Sequence, residues 1–195
     1  IAYPIAQSNS LFMLDQQNFD TGTFPLILIK LVYSFLQNFH LDIDSTALIL
    51  IISRIFSALI SLAILLLLFF ITKKIFGETK SYLAVAFAAL SVGFIQFSHF
   101  GTIELWEALF FLMLFYYTWR IAKYAHARDA IIAGILLGFA TATKILSLIL
   151  APAIFASSLL FLYHQHTTKQ NLLKTIKKLF LVVILFSLCA ALSFI

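Results

Sequence analysis

Residues 47–72 decide what this chain can fold into. Arg54 is the only ionisable side chain in that run, and at about 1.5 Å per residue a helix over it would be roughly 39 Å long. That crosses a hydrocarbon core of about 30 Å with some tilt. The whole chain agrees with such a segment: 63% of its residues are hydrophobic and 11% charged, with a mean hydropathy of +1.05, against roughly 25% charged in a soluble domain. The expected fold is all-α, a polytopic transmembrane helix bundle in the lipid bilayer. No cleavable leader is visible, since 47–72 is too long and too far into the chain to be one. The single Cys189 excludes an intrachain disulfide. The chain opens at Ile1 and stops inside an apolar run at Ile195, so a fragment cut at both ends, inactive by itself, is expected.

The net charge of +5 does not point to nucleic acid, because its distribution follows the apolar runs. Lys73, Lys74 and Lys80 form one cluster, Arg120, Lys123 and Arg128 a second, and Lys169, Lys174, Lys177 and Lys178 a third, together ten of the 13 basic residues. Basic clusters in short loops mark the cytoplasmic side. Of the eight acids only Glu78 and Asp129 share those loops, while Asp15, Asp20, Asp42, Asp44, Glu104 and Glu107 fall between them. The expected topology follows. An outer loop over 1–46 carries an interfacial helix at 24–39, whose polar stripe is Lys30, Ser34, Gln37 and Asn38. A short span is the other reading of that helix. Spans are expected over about 47–72, 81–98 and 103–119, then a short pair over 130–143 and 146–162, and an incomplete span over 179–195. The short pair is needed because basic loops flank 130–162, which is too short for two full crossings. Lys144 sits at its break, and Gly134 and Gly138 give a face for close helix packing.

Three ionisable groups then fall at or just below the outer surface: Arg54, Glu104 and Lys144. An arginine at the depth of Arg54 needs a partner, a wet cavity or a snorkelling path. Glu104 either opens a site or caps the dipole of the helix it starts. The turn over residues 97–102 is expected to bring His99 beside Glu104 at the surface, with Glu107 one turn on; His99 is a ligand-binding or a plain interfacial side chain. His164 and His166 share a spacing that tempts a metal reading, but a solvated loop is the better account, with no acid or cysteine near them. Two cations and a carboxylate suit an anionic headgroup bearing a reactive group. A transporter and a non-catalytic membrane assembly protein remain the alternatives.

Five stretches carry a resemblance: 19–26 (Phe-Asp-Thr-Gly-Thr-Phe-Pro-Leu), 53–59 (Ser-Arg-Ile-Phe-Ser-Ala-Leu), 74–77 (Lys-Ile-Phe-Gly), 99–104 (His-Phe-Gly-Thr-Ile-Glu) and 138–144 (Gly-Phe-Ala-Thr-Ala-Thr-Lys). In order and spacing the chain resembles the GT-C glycosyltransferases, and within them the protein mannosyltransferase-like and lipid A aminoarabinose transferase-like group. The resemblance implies a multi-pass protein of the cell membrane that moves a sugar from a polyprenyl-phosphate carrier to an outer-face acceptor (protein, lipid or glycan), with inversion at the anomeric carbon. Arg54, Glu104 and Lys144 fall on family positions, which implies donor-phosphate contacts from Lys144 and Arg54 and a catalytic-site carboxylate at Glu104; Asp20, off the family motif, is the nearest further catalytic candidate in the chain, and His99 and Glu107 are the candidate substrate contacts. The family's main catalytic acid is expected upstream of Ile1. No cofactor is required by this reading, and a divalent metal is left open.

Overall fold

The computed structural model describes residues 24–38, 45–124, 126–152 and 156–157, all of them helix, turn or short connection. The fold is all-α. The chain divides into two compact units, through Leu109 and from Phe110 onward.

In the first unit, α1 (Phe24–Gln37) buries Pro25, Leu26, Ile29 and Tyr33 along one side. Ile29 and Tyr33 pack with Leu48, Ile49 and Ile52 of α2 (Ser45–Phe76). Ser34, Gln37 and Asn38 of the expected polar stripe are exposed, and the Gln37 amide donates to the Tyr33 hydroxyl at 2.6 Å. The amphipathic pattern thus docks α1 on the root of the long apolar helix.

The 32 residues of α2 make the one described helix that is long and apolar enough by itself to cross a membrane. Ile49, Ile52, Ile60 and Ile64 are buried, while Ile51, Ile55, Leu59, Leu62, Leu66 and Phe70 are exposed at steps of three and four residues. A helix that is apolar on its exposed side as well as its buried side suits lipid rather than water. Lys73 and Lys74 close its last turn, where cations favour the helix dipole.

Gly77 alone joins α2 to α3 (Glu78–Ala89), which packs back along α2. Its φ of 96° with ψ 174° is a region that only glycine occupies readily, and Lys73 pairs with Glu78 across the turn at 2.9 Å. The return segment expected as one span over 81–98 is two helices, α3 and α4 (Val92–Phe100), bent by 60° at Leu90–Ser91. Ser91 is extended, with φ −66° and ψ 123°, so the backbone ladder breaks there, and Gly93 follows it closely. A Ser/Gly pair is a usual cause of a sharp helix bend. Taken as a pair across the bend, α3 and α4 are also long and apolar enough to cross a membrane.

Helix α5 (Glu104–Tyr124) starts in the first unit. Leu105 and Trp106 are buried there, and the Trp106 ring meets Phe24 of α1 and Phe56 of α2 at centroid distances of 5.8 and 5.7 Å.

In the second unit, the rest of α5 packs against α6 (Ala127–Thr143) through Leu114, Ile121, Ala130, Ala133 and Leu137. Gly134 and Gly138 are buried in the same helix, and Phe110 stacks on Phe139 at 6.1 Å. Small residues let the helices approach closely. Asp129, 1% exposed, lies in the first turn of α6 and takes both arms of the Arg120 guanidinium, at 3.0 and 3.1 Å. The helix ends at Thr143. Lys144 is extended, and a 3-10 helix, Ile145–Leu150, follows. The expected helix over 146–162 therefore begins as a tighter 3-10 turn, while its residues 153–155 and 158–162, the span over 179–195, Cys189, His164 and His166 lie outside the described residues.

Candidate functional site

Arg54 stands about 14 Å along α2 from Ser45, at about 1.5 Å per residue, and is exposed although apolar residues surround it in sequence. It opens onto a cavity of about 440 Å³ lined by Arg54, Ala58 and Ser61 of α2 and by Ser98, His99 and Phe100 of α4. Positions 54, 58 and 61 recur at helical spacing and so share a face. The opposite wall is the last turn of α4.

Local chemistry holds that wall. The Ser98 hydroxyl donates to the Ile95 carbonyl at 2.7 Å, and His99 Nδ1 lies 2.8 Å from the same oxygen. A carbonyl only accepts, so Nδ1 carries the proton in that contact and Nε2 is the ring atom left to meet a ligand. Gly101 then ends α4 at φ 68°. A side chain there would be strained and would also have no room: a Cβ would lie 2.6 Å from Ser53 Oγ. The end of α4 thus rests directly on α2, one residue before Arg54.

The structure brings Arg54 and His99 to one cavity. His99 sits in the last helical turn of α4, not in the connecting turn expected over 97–102. Glu104 and Glu107 occupy the first turn of α5, with Glu104 exposed, and neither lines that cavity. Lys144 belongs to the second unit, at the break after α6. Asp20 lies outside the described residues. Among the described residues no three His, Cys, Asp or Glu side chains come together as metal ligands.

Sequence reading missed Ser61 and Ser98 as lining residues, though serines at 53, 57 and 61, four apart on an apolar helix, were a usable signal. It also missed the Arg120–Asp129 fork, because both residues read as charges of a basic loop.

Set beside known proteins, the chain matches the family model described as dolichyl-phosphate-mannose-protein mannosyltransferase over residues 26–194. No curated protein and no solved structure matches it.

Proposed function

We propose that this chain, which belongs to the dolichyl-phosphate-mannose-protein mannosyltransferase family of membrane glycosyltransferases, moves a sugar from a polyprenyl-phosphate carrier to an acceptor on the outer face of the cell membrane, as a multi-pass protein. One observation carries the reading. Arg54 and His99 line a single cavity, and Ile55, Leu59 and Phe100 beside it are exposed and apolar. A polyprenyl phosphate has the same two parts, an anionic head on a long apolar tail. Arginine suits the head, since its planar fork binds phosphate oxygens in pairs and keeps its charge at any working pH.

The reaction assigns the remaining residues. The acceptor hydroxyl oxygen attacks the anomeric carbon while the bond from that carbon to the phosphate oxygen breaks. The electron pair leaves with the phosphate, so negative charge grows there, and a fixed cation stabilises it most where water is scarce. Arg54 is given this task, and Lys144 is assigned the same one. The acceptor proton passes to a carboxylate acting as general base; Asp20 is the candidate within this chain. Glu104 holds the sugar or the acceptor, and His99 and Glu107 bind substrate. Attack opposite the leaving phosphate inverts the anomeric centre.

The test is sugar transfer from a polyprenyl-phosphate donor by the intact protein. Arg54→Ala, Lys144→Ala and Glu104→Gln each reduce the rate at least tenfold, which at about 1.4 kcal/mol corresponds to one charge-assisted contact in the transition state. Rates equal to wild type in Arg54→Ala would sink the assignment of the cavity.

A further inference from the structure

Phe115, Trp119 and Lys123 follow one another four apart along the last turns of α5 and so share a face. Leu114 and Ile121 are buried in the packing with α6. Trp119 and Lys123 each lie two residues from Ile121, so at about 100° per residue the stripe points away from α6. Polarity rises along it. Phe115 is apolar and exposed, Trp119 is half-buried, and Lys123 is exposed.

At the polar end, rings gather around the cation. Lys123 Nζ lies 5.1 Å from the Trp119 centroid and 5.4 Å from that of Tyr124. The two rings stand at 85° to each other, 6.4 Å apart. His126, the residue that precedes α6, stacks on Tyr124 at 5.7 Å, and Tyr116 stacks on Trp119 at 6.1 Å. Cation–π contacts hold an ammonium without neutralising it. Among the described residues no carboxylate pairs with Lys123, nor with Arg128, which is exposed in the first turn of α6. Asp129, the nearest acid in sequence, is buried and taken by Arg120. The turn from α5 to α6 therefore presents positive charge that nothing described offsets.

Indole and phenol rings settle at the depth of lipid headgroups, where one edge is apolar and the other wet. A lysine beside them keeps its stem in apolar surroundings and its charge at the surface. Basic loops face the cytosol, and the leaflet there is negative. We propose that Trp119, Lys123, Tyr124 and His126 form a binding site for one anionic phospholipid of the cytoplasmic leaflet. The lipid phosphate accepts from the Lys123 ammonium, Trp119 and Tyr124 flank the glycerol level, and an acyl chain runs along Phe115. Arg128 adds attraction at the same turn. The site lies within the second unit and does not depend on the donor reading; the two share only the expectation that basic loops face the cytosol.

The experiment titrates phosphatidylglycerol and phosphatidylcholine into the intact protein in detergent and follows the first lipid bound by native mass spectrometry. Wild type takes phosphatidylglycerol on the order of tenfold more tightly. Lys123→Gln lowers that affinity about fivefold, the share of one basic residue at an anionic surface, and leaves phosphatidylcholine binding and melting temperature unchanged. Lys123→Arg, which keeps the charge and suits the rings, retains the preference. Trp119→Leu weakens both lipids alike. Lys80→Gln removes an equal charge at the α2–α3 turn and changes nothing. Glycerol 3-phosphate, a headgroup without acyl chains, does not compete. The site is overturned if the two lipids bind alike, if Lys123→Gln keeps the wild-type preference, or if Lys80→Gln costs as much, since the charge would then act diffusely. Displacement by glycerol 3-phosphate, or a dimer that Lys123→Gln splits, would overturn it too, by giving the face to a soluble anion or to a second copy. Should Trp119→Leu unsettle the fold, the Lys123→Gln and Lys123→Arg pair decides alone.

Discussion

The α5–α6 pair of the second unit and the α2–α4 pair of the first treat buried polarity in opposite ways. Asp129 is almost completely buried, and both its oxygens are taken up by the Arg120 fork, with the Arg120 guanidinium also over the rings of Tyr116 and Tyr117 at 5.8 Å. Its place at the start of α6 adds the favourable end of a helix dipole. On the α2–α4 side, by contrast, Arg54 faces a cavity, His99 is held at the cavity wall through Nδ1 alone, and the Ser57 hydroxyl of α2 has no hydrogen-bond partner among the described residues. The lesson is one of use. A polar group whose partners are all supplied from within holds a fold together, whereas one left wanting is poised for something that arrives.

The comparison breaks most decisively at Arg120. Arg120→Ala leaves a buried carboxylate with no counter-charge, at a cost of about 3–5 kcal/mol, read as a large fall in melting temperature in detergent. Replacing both partners by apolar side chains, Arg120→Met with Asp129→Leu, restores most of that loss. A mild single mutant would mean that the fork is ornamental and the contrast false.

A smaller effect sharpens the other side. Gly101→Ala meets a left-handed φ, worth about 1–2 kcal/mol, and Ser53 Oγ at 2.6 Å. Its transfer activity falls further than its melting temperature predicts, because α4 can no longer rest beside Arg54. Adding Ser53→Ala removes the nearest atom and recovers part of the activity. Recovery of stability without activity would separate the clamp from the cavity.

The smallest effect belongs to the exposed pair at the α2–α3 turn. Lys73 and Glu78 are 45% and 56% exposed at their side chains, and solvent screens such pairs almost completely. Lys73→Ala leaves the melting temperature where it was. A measurable drop would place that pair with the Arg120 fork rather than apart from it.

Much of the fold was legible because its signals are long. The run ending at Lys73-Lys74 announced α2, the stripe of Lys30, Ser34 and Gln37 announced α1, and the charge interrupting an apolar stretch marked the place where α6 gives way at Lys144. The bend at Leu90–Ser91 was not legible. No proline marks it, and Ser91 with Gly93 in an alanine-rich segment looks like any small-residue stretch until the backbone extends. The Arg120–Asp129 fork escaped for a different reason: side chains nine residues apart meet only because one helix ends and the next begins between them. At the candidate site the sequence named Arg54 and His99 and put Glu104 at the start of the next helix, but topology alone could not say that Arg54 and His99 share a cavity that Glu104 does not line. The unpartnered state of Ser57 is a fact of packing and has no trace in composition.

The one-residue link at Gly77 has a consequence for how the protein is made. Tethered so closely, α2 and α3 meet at an effective concentration that no freely diffusing pair attains, and almost no chain entropy is lost in closing the connection. This hairpin can therefore close at little entropic cost once both helices are formed. Against the closed pair α4 then packs, bringing with it the wall it contributes to the cavity.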